Sequence, residues 1–245
     1  MQIKLLLKPQ KTLIIPKSYN YQLQGAVYSI LKNAGESEFW HDSGFRVFNK
    51  TFKGFCFGAL EGRYFDDKEA KKLRFYNNIE LEIRSPVFDF IDTVQRSLEL
   101  RPYFKLFDTR LDVVSAELTN RHLKSGNICL NAVTPVTVHT TAGDGTGHTR
   151  YFTPEEDEFY IRLCNNAQNN YEAIMKEPAP EVYLRPAGSL KHTVAKYKPT
   201  NGIDFCINGY SGKFEINTTV KMAEFIYNTG LGERNPEGFG FVKIP

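Results

Sequence analysis

Apolar and polar positions alternate at the start of the chain. In IKLLLKP, Ile3, Leu5 and Leu7 alternate with Lys4, Leu6 and Lys8, the period of a strand with one buried face. The period then changes: Leu23, Ala26, Val27, Ile30, Leu31 and Ala34 recur at helical spacing, with Pro16 and Ser18 suited to a helix start and Gly35 placed to cap its end. FKGFCFGAL and NIELEIR predict two strands. SPVFDFIDTVQRSL predicts a second helix, with Ser85 and Pro86 as cap and first turn, and TRLDVVSAEL a further strand.

The same order returns in the second half. ICLNAVTPVTV predicts a strand, and TPEEDEFYIRLCNNAQNNYEAIM a long helix whose first-turn acids suit its dipole. SLKHTVAKYKP and GIDFCINGYSGKFEIN predict strands parted by a turn at Pro199, Asn201 and Gly202. TTVKMAEFIYNTG puts Val220, Ala223, Ile226 and Tyr227 on one helical face, and FGFVKIP closes as a short strand. The predicted fold is α+β, two tandem ferredoxin-like (βαββαβ) domains, residues 1–122 and 123–245, joined near 120–127.

Composition adds bounds. The chain has 245 residues, 41% hydrophobic and 13% aromatic, which makes it globular rather than disordered. A net charge of +3 permits a nucleic-acid partner without requiring one. Cys56, Cys129, Cys164 and Cys206 form no CxxC pair and read as reduced core residues. The apolar run in MQIKLLLKPQK is too short for a secretory signal and no stretch approaches a membrane span, so a cytoplasmic protein without membrane contact is expected.

Between the last predicted helix and strand lies GLGERNPEGFGF, Gly230 to Phe241. Loops that cradle nucleotide phosphates put their glycines after a strand and before a helix, so the order here excludes that reading. A turn accounts for some of the glycines. It does not account for Gly230-Leu231-Gly232 and Gly238-Phe239-Gly240 set five residues apart. Such a loop at the end of a second ferredoxin-like domain resembles the signature of the CRISPR-associated repeat-RNA endoribonucleases, the Cas-six family. FWHDSGF, FKGFCFGAL and YFTPEEDEF are similar to that family's stretches at corresponding places, so the resemblance spans the chain.

The resemblance implies metal-independent cleavage of precursor CRISPR RNA within each repeat, a ribose 2′-hydroxyl attacking the adjacent phosphate to leave a 2′,3′-cyclic phosphate. That chemistry needs a base, an acid and charge stabilisation. Of the histidines His41, His122, His139, His148 and His192, His41 stands out, in a short polar loop beside Asp42 and Gly44. Tyr28 lies about 130° from the centre of the first helix's apolar face and is expected to be partly exposed. The family often pairs a histidine and a tyrosine at these places and in several members adds a lysine on the following strand. This sequence offers Lys50 and Lys53, both farther along than the usual place, which leaves the choice open: Lys53 fits the start of the strand better, and Lys50 also reads as a solvated turn residue. The resemblance leaves the acid and base roles of His41 and Tyr28 open.

For RNA binding the candidates are Gly230, Gly232, Gly238 and Gly240, whose backbone N–H groups could approach an RNA backbone, with Arg234 adding charge. Arg185, Lys191, Lys196, Tyr197 and Lys198 form a second basic and aromatic group. Asp66, Asp67 and Glu69 read as a charged linker and Glu155 to Glu158 as helix-start acids, so no metal or other cofactor is expected. The expected partner is CRISPR repeat RNA, with other CRISPR effector subunits as further partners, for a monomer or homodimer. Two readings compete with cleavage: a noncatalytic RNA-binding subunit of such a complex, and an unrelated tandem binding module whose glycines are only turns.

Overall fold

Strand Gln2–Pro9 follows its alternation: Ile3, Leu5 and Leu7 have no exposed surface, while Lys4 and Lys8 face water. It runs at the centre of a sheet, antiparallel to Lys72–Arg84 on one side and Thr109–Thr119 on the other. Strands Leu13–Pro16, Cys56–Phe57 and Glu61–Asp67 pair with Lys72–Arg84, and Tyr103–Leu106 pairs with Thr109–Thr119. Helices α1 (Asn20–Asn33) and α2 (Phe88–Leu100) share one core with this sheet; Leu23, Val27, Ile30, Phe90 and Val94 are all buried. The computed structural model describes residues 1–33, 39–141, 149–197, 202 and 204–245, without the side chains of Asn33 and His41. Ala34 and Gly35, the expected end of α1, lie outside the described residues.

The second half repeats this order. Ile128–Val136 is flanked by Phe205–Asn217 and the short Val242–Lys243, and both Tyr183–Pro186 and Lys191–Tyr197 pair with Phe205–Asn217. Helices α3 (Asp157–Met175) and α4 (Val220–Thr229) cover it, with Phe159, Leu163, Met222 and Ile226 in a second core. The fold is α+β, two ferredoxin-like βαββαβ units in tandem.

The charged stretch around Asp66 and Asp67 is a strand, not a linker. Asp67 pairs with Arg74 at 2.7 Å and Asp66 with Lys17 at 2.6 Å, so charge is matched across strands in place of an apolar face. Ser85 stands before the cap of α2: its hydroxyl accepts from Val87 N–H at 3.0 Å and donates to the Gly54 carbonyl at 2.6 Å. Val220, expected inside, is exposed at the start of α4, where the Thr219 side chain accepts from Met222 N–H. Of the four free cysteines only Cys56 is buried, and Cys206 is exposed.

Arg84 ties the halves together. It is buried, its guanidinium 3.8 Å from the Tyr227 ring centroid and 4.2 Å from that of Phe241. It donates to the carbonyls of Tyr227 (3.2 Å) and Val242 (2.6 Å) and pairs with Glu82 at 2.7 Å. From the end of one sheet it thereby fixes both ends of the glycine loop in the other half.

Candidate active site between the two sheets

A cavity of about 430 Å³ opens where the halves meet. α1 and residues Lys50 to Phe55 form one wall; His139, α3 and the glycine loop form the other. Tyr28 and Lys53 both line it.

Tyr28 is half-buried, its ring edge-on to Phe55 with centroids 5.7 Å apart. Burial pushes its hydroxyl well above the ordinary tyrosine pKa, and the Glu237 and Asp42 carboxylates push the same way. The hydroxyl therefore keeps its proton near neutral pH. Burial lowers the pKa of Lys53; Asp42 opposes that fall and Arg46 adds to it. A lysine so placed is a cation that parts with a proton more readily than one in water.

His41 sits in a π-helical turn, Phe39–Ser43, closed by Gly44 N–H donating to the Phe39 carbonyl at 2.7 Å. Gly44 has φ +65°, and a Cβ there would stand 2.6 Å from the Phe52 carbonyl oxygen and 3.1 Å from the Lys53 side chain. Only glycine lets the turn come this close. The backbone of the His41 turn thus packs against Lys53, and Asp42 shares a second groove with Tyr28. The His41 side chain lies outside the described residues.

Lys50 is exposed, as expected, but it is a strand residue and not a turn residue. It opens strand Lys50–Phe52, hairpinned with Phe45–Val47, lines the cavity and stands 3.7 Å from Glu233. Glu233 in turn pairs with the imidazole Nδ1 of His139 and accepts from that residue's backbone N–H at 2.9 Å. Burial alone would raise the Glu233 pKa, but the His139 contacts, joined by Lys50, outweigh it and leave the carboxyl below its ordinary range. Sequence reasoning missed His139, because nothing near it in the chain marks its partner 94 residues away. His122 and His192 are exposed beside Glu224 and Asn208, and His148 lies outside the described residues.

The four glycines of the loop are buried, and for three of them the expectation of free N–H groups is corrected. Those of Gly230, Gly238 and Gly240 donate to the carbonyls of Ile226 (2.8 Å), Asn235 (3.0 Å) and Pro135 (2.8 Å). A Cβ on Gly240 would fall 1.8 Å from the Leu231 carbonyl oxygen, so the loop's two ends touch backbone to backbone. Gly232 is buried as well and lines the cavity. Asn235 Nδ2 bridges the carbonyls of Leu231 (3.1 Å) and Phe239 (3.2 Å), and Asn20 of α1 donates to the Glu237 carbonyl at 3.2 Å. Arg234 lines the cavity but is paired with Glu237 at 3.0 Å.

The second basic group is not one surface. Lys191 and Lys196 are five residues apart on one strand and so face opposite sides of the sheet. Arg185 pairs with Glu215 at 2.5 Å. Tyr197 is buried, its hydroxyl donating to Gln24 of α1 at 2.5 Å, so its ring is not offered to a base. Lys198 lies outside the described residues. Glu156 and Glu158 pair with Arg150 and Arg162. Among the described residues no group of three or more His, Cys, Asp or Glu is placed to hold a metal, and no helix is long and apolar enough to cross a membrane.

Tandem ferredoxin-like units closed on each other by a glycine loop define an architecture shared with solved structures. One, of a Cas6-related protein from Pyrococcus furiosus, superposes with a TM-score of 0.82 at 22% identity, covering 100% of this chain and 98% of that one. Another, described as an RAMP protein binding different RNA substrates, gives 0.81 at 20% identity, covering 100% and 99%. The family model for CRISPR associated protein Cas6, C-terminal, matches residues 118–244, and the chain belongs to that family. Among curated relatives, a CRISPR-associated endoribonuclease Cas6 of Methanocaldococcus jannaschii is 25% identical over 99% of this chain and 92% of its own length.

Proposed function

We propose that the chain is an endoribonuclease that cuts precursor CRISPR RNA within its repeats to give guide RNAs, by metal-independent attack of a ribose 2′-hydroxyl on the adjacent phosphate. The observation that carries the reading is the meeting of Tyr28 and Lys53 in one cavity between the halves, with Gly44 at the end of the His41 turn packed against Lys53 and Asp42 of that turn in the adjoining groove. Two relatives from Methanocaldococcus jannaschii known as CRISPR-associated endoribonucleases support the endoribonuclease part of this reading.

In this reading His41 takes the proton from the 2′-hydroxyl, the 2′-oxygen bonds to phosphorus, and the bond from phosphorus to the 5′-oxygen breaks. Tyr28, held protonated, donates to the departing 5′-oxygen. Lys53 faces the charge that builds on the phosphate, in a site where burial strengthens its field. The products are a 2′,3′-cyclic phosphate and a 5′-hydroxyl. Residues 1–122 carry these groups, and residues 123–245 supply the far wall, where Arg234 meets RNA by exchanging Glu237 for a phosphate.

The test is incubation with the cognate repeat RNA in excess chelator, beside His41→Ala and a substrate with 2′-deoxyribose at the cut. Cleavage by the unmodified pair alone is expected. Undiminished cutting by His41→Ala would move the base elsewhere, and binding without any cutting would make the chain a noncatalytic RNA-binding subunit.

A further inference from the structure

A groove of about 1190 Å³ runs from the candidate site along α1 to the chain after α2. It shares Gln24 and Tyr28 with the cavity, so the two adjoin at α1. Its charged lining is Lys32, Arg101 and Lys105 against the single carboxylate of Asp42. Tyr103 stands between two cations, 4.5 Å from Arg101 and 3.6 Å from Arg110. Phe107, at the tip of the hairpin Tyr103–Leu106/Thr109–Thr119, is exposed and held at φ +55°.

An independent observation comes from the floor. Gly25 sits near the middle of α1, is exposed, and has a backbone φ outside the left-handed region; a Cβ there would meet nothing within 4 Å. Glycine inside a helix costs stability relative to alanine, and no neighbour in the protein requires it. The space it leaves is part of the groove.

We infer that this groove binds the single-stranded RNA that continues from the scissile phosphate on one side, its backbone crossing α1 over Gly25 between Lys32, Arg101 and Lys105, and a base reaching Phe107. Spaced cations beside aromatic faces suit single-stranded RNA, because phosphates supply charge and every base has a stacking face. The inference rests on the cleavage reading for the position of the scissile phosphate.

The test uses the full repeat RNA and two truncated forms, one ending at the cleavage site on its 5′ side and one on its 3′ side. A Cβ at position 25 meets nothing within 4 Å, so Gly25→Leu projects its side chain into the groove; a melting temperature equal to the parent's, and the same result from Gly25→Ala/Ser29→Leu if it is not, confirms that the variant is folded. The variant is expected to weaken binding of the full RNA about tenfold and to have no effect on one of the truncated forms. Lys32→Ala/Arg101→Ala/Lys105→Ala is expected to lower the slope of log affinity against log salt by about 2 on the full RNA, and to leave that same truncated form unchanged. Unchanged affinity in both variants, or equal loss on all three RNAs, overturns the inference. Groove-dependent binding without cleavage by the unmodified protein would retain it and sink the cleavage reading instead.

Discussion

His139 and Glu233 meet twice: the carboxylate takes the backbone N–H of His139 at 2.9 Å and pairs with its imidazole. The pairing welds the glycine loop to the strand that starts at His139, with Lys50 of the other half beside it. A carboxyl held below its ordinary pKa adds stability above 4.5, its usual value, and that stability is lost as pH falls through the lower, folded value. Glu233→Gln should therefore flatten the fall of unfolding free energy below about pH 4.5, read from urea melts across pH 3 to 7.

Tyr28→Phe keeps the ring packed on Phe55 and removes only the hydroxyl. Single-turnover cleavage is expected to slow about a hundredfold to ten-thousandfold with the melting temperature little changed. A rate within a few-fold of the parent would strip Tyr28 of its role as acid.

Lys53 loses its proton at a pH below the 10.5 of an ordinary lysine. If its cation stabilises the phosphate, the alkaline limb of the cleavage profile reports that loss. Lys53→Arg should carry the limb to higher pH, since a guanidinium stays charged throughout. An unmoved limb assigns it to another group.

Arg84→Met leaves the Glu82 carboxylate and two carbonyls without their buried donor. Removing one partner of a buried pair costs about 3 to 5 kcal/mol, or about 10 °C in melting temperature for a chain of this size. Calorimetry would show it, and a shift under about 2 °C would contradict the account.

Phe48 occupies the two-residue turn of the hairpin Phe45–Val47/Lys50–Phe52 at φ +49°, with 86% of its surface exposed. Asparagine tolerates that backbone far better than a bulky side chain does. Phe48→Asn should stabilise the protein by about 1 kcal/mol in denaturant melts.

Sequence alone carried the elements whose one face is buried. Alternation in Gln2–Pro9 and helical spacing from Leu23 to Leu31 were legible because each pattern is local. Glu61–Asp67 escaped because it is largely exposed and held by charges paired across strands, which leaves no apolar period to read. Tyr28 and Lys53 were legible as candidates, and their meeting in one cavity agrees with that reading. His139 and Glu233 were not, and neither was the place of Lys50 beside them, since that proximity exists only after both halves close. That the amides of Gly230, Gly238 and Gly240 are engaged inside the loop was hidden for a related reason: a sequence shows which residues lack side chains but not which carbonyls their amides have already found.

The contact between Gly240 and the Leu231 carbonyl therefore changes what the glycine signature diagnoses. Its spacing is demanded by the chain's fit to itself, and a relative that had lost every catalytic group would still need it to fold. The motif certifies lineage and architecture, and says nothing by itself about whether a given chain cuts.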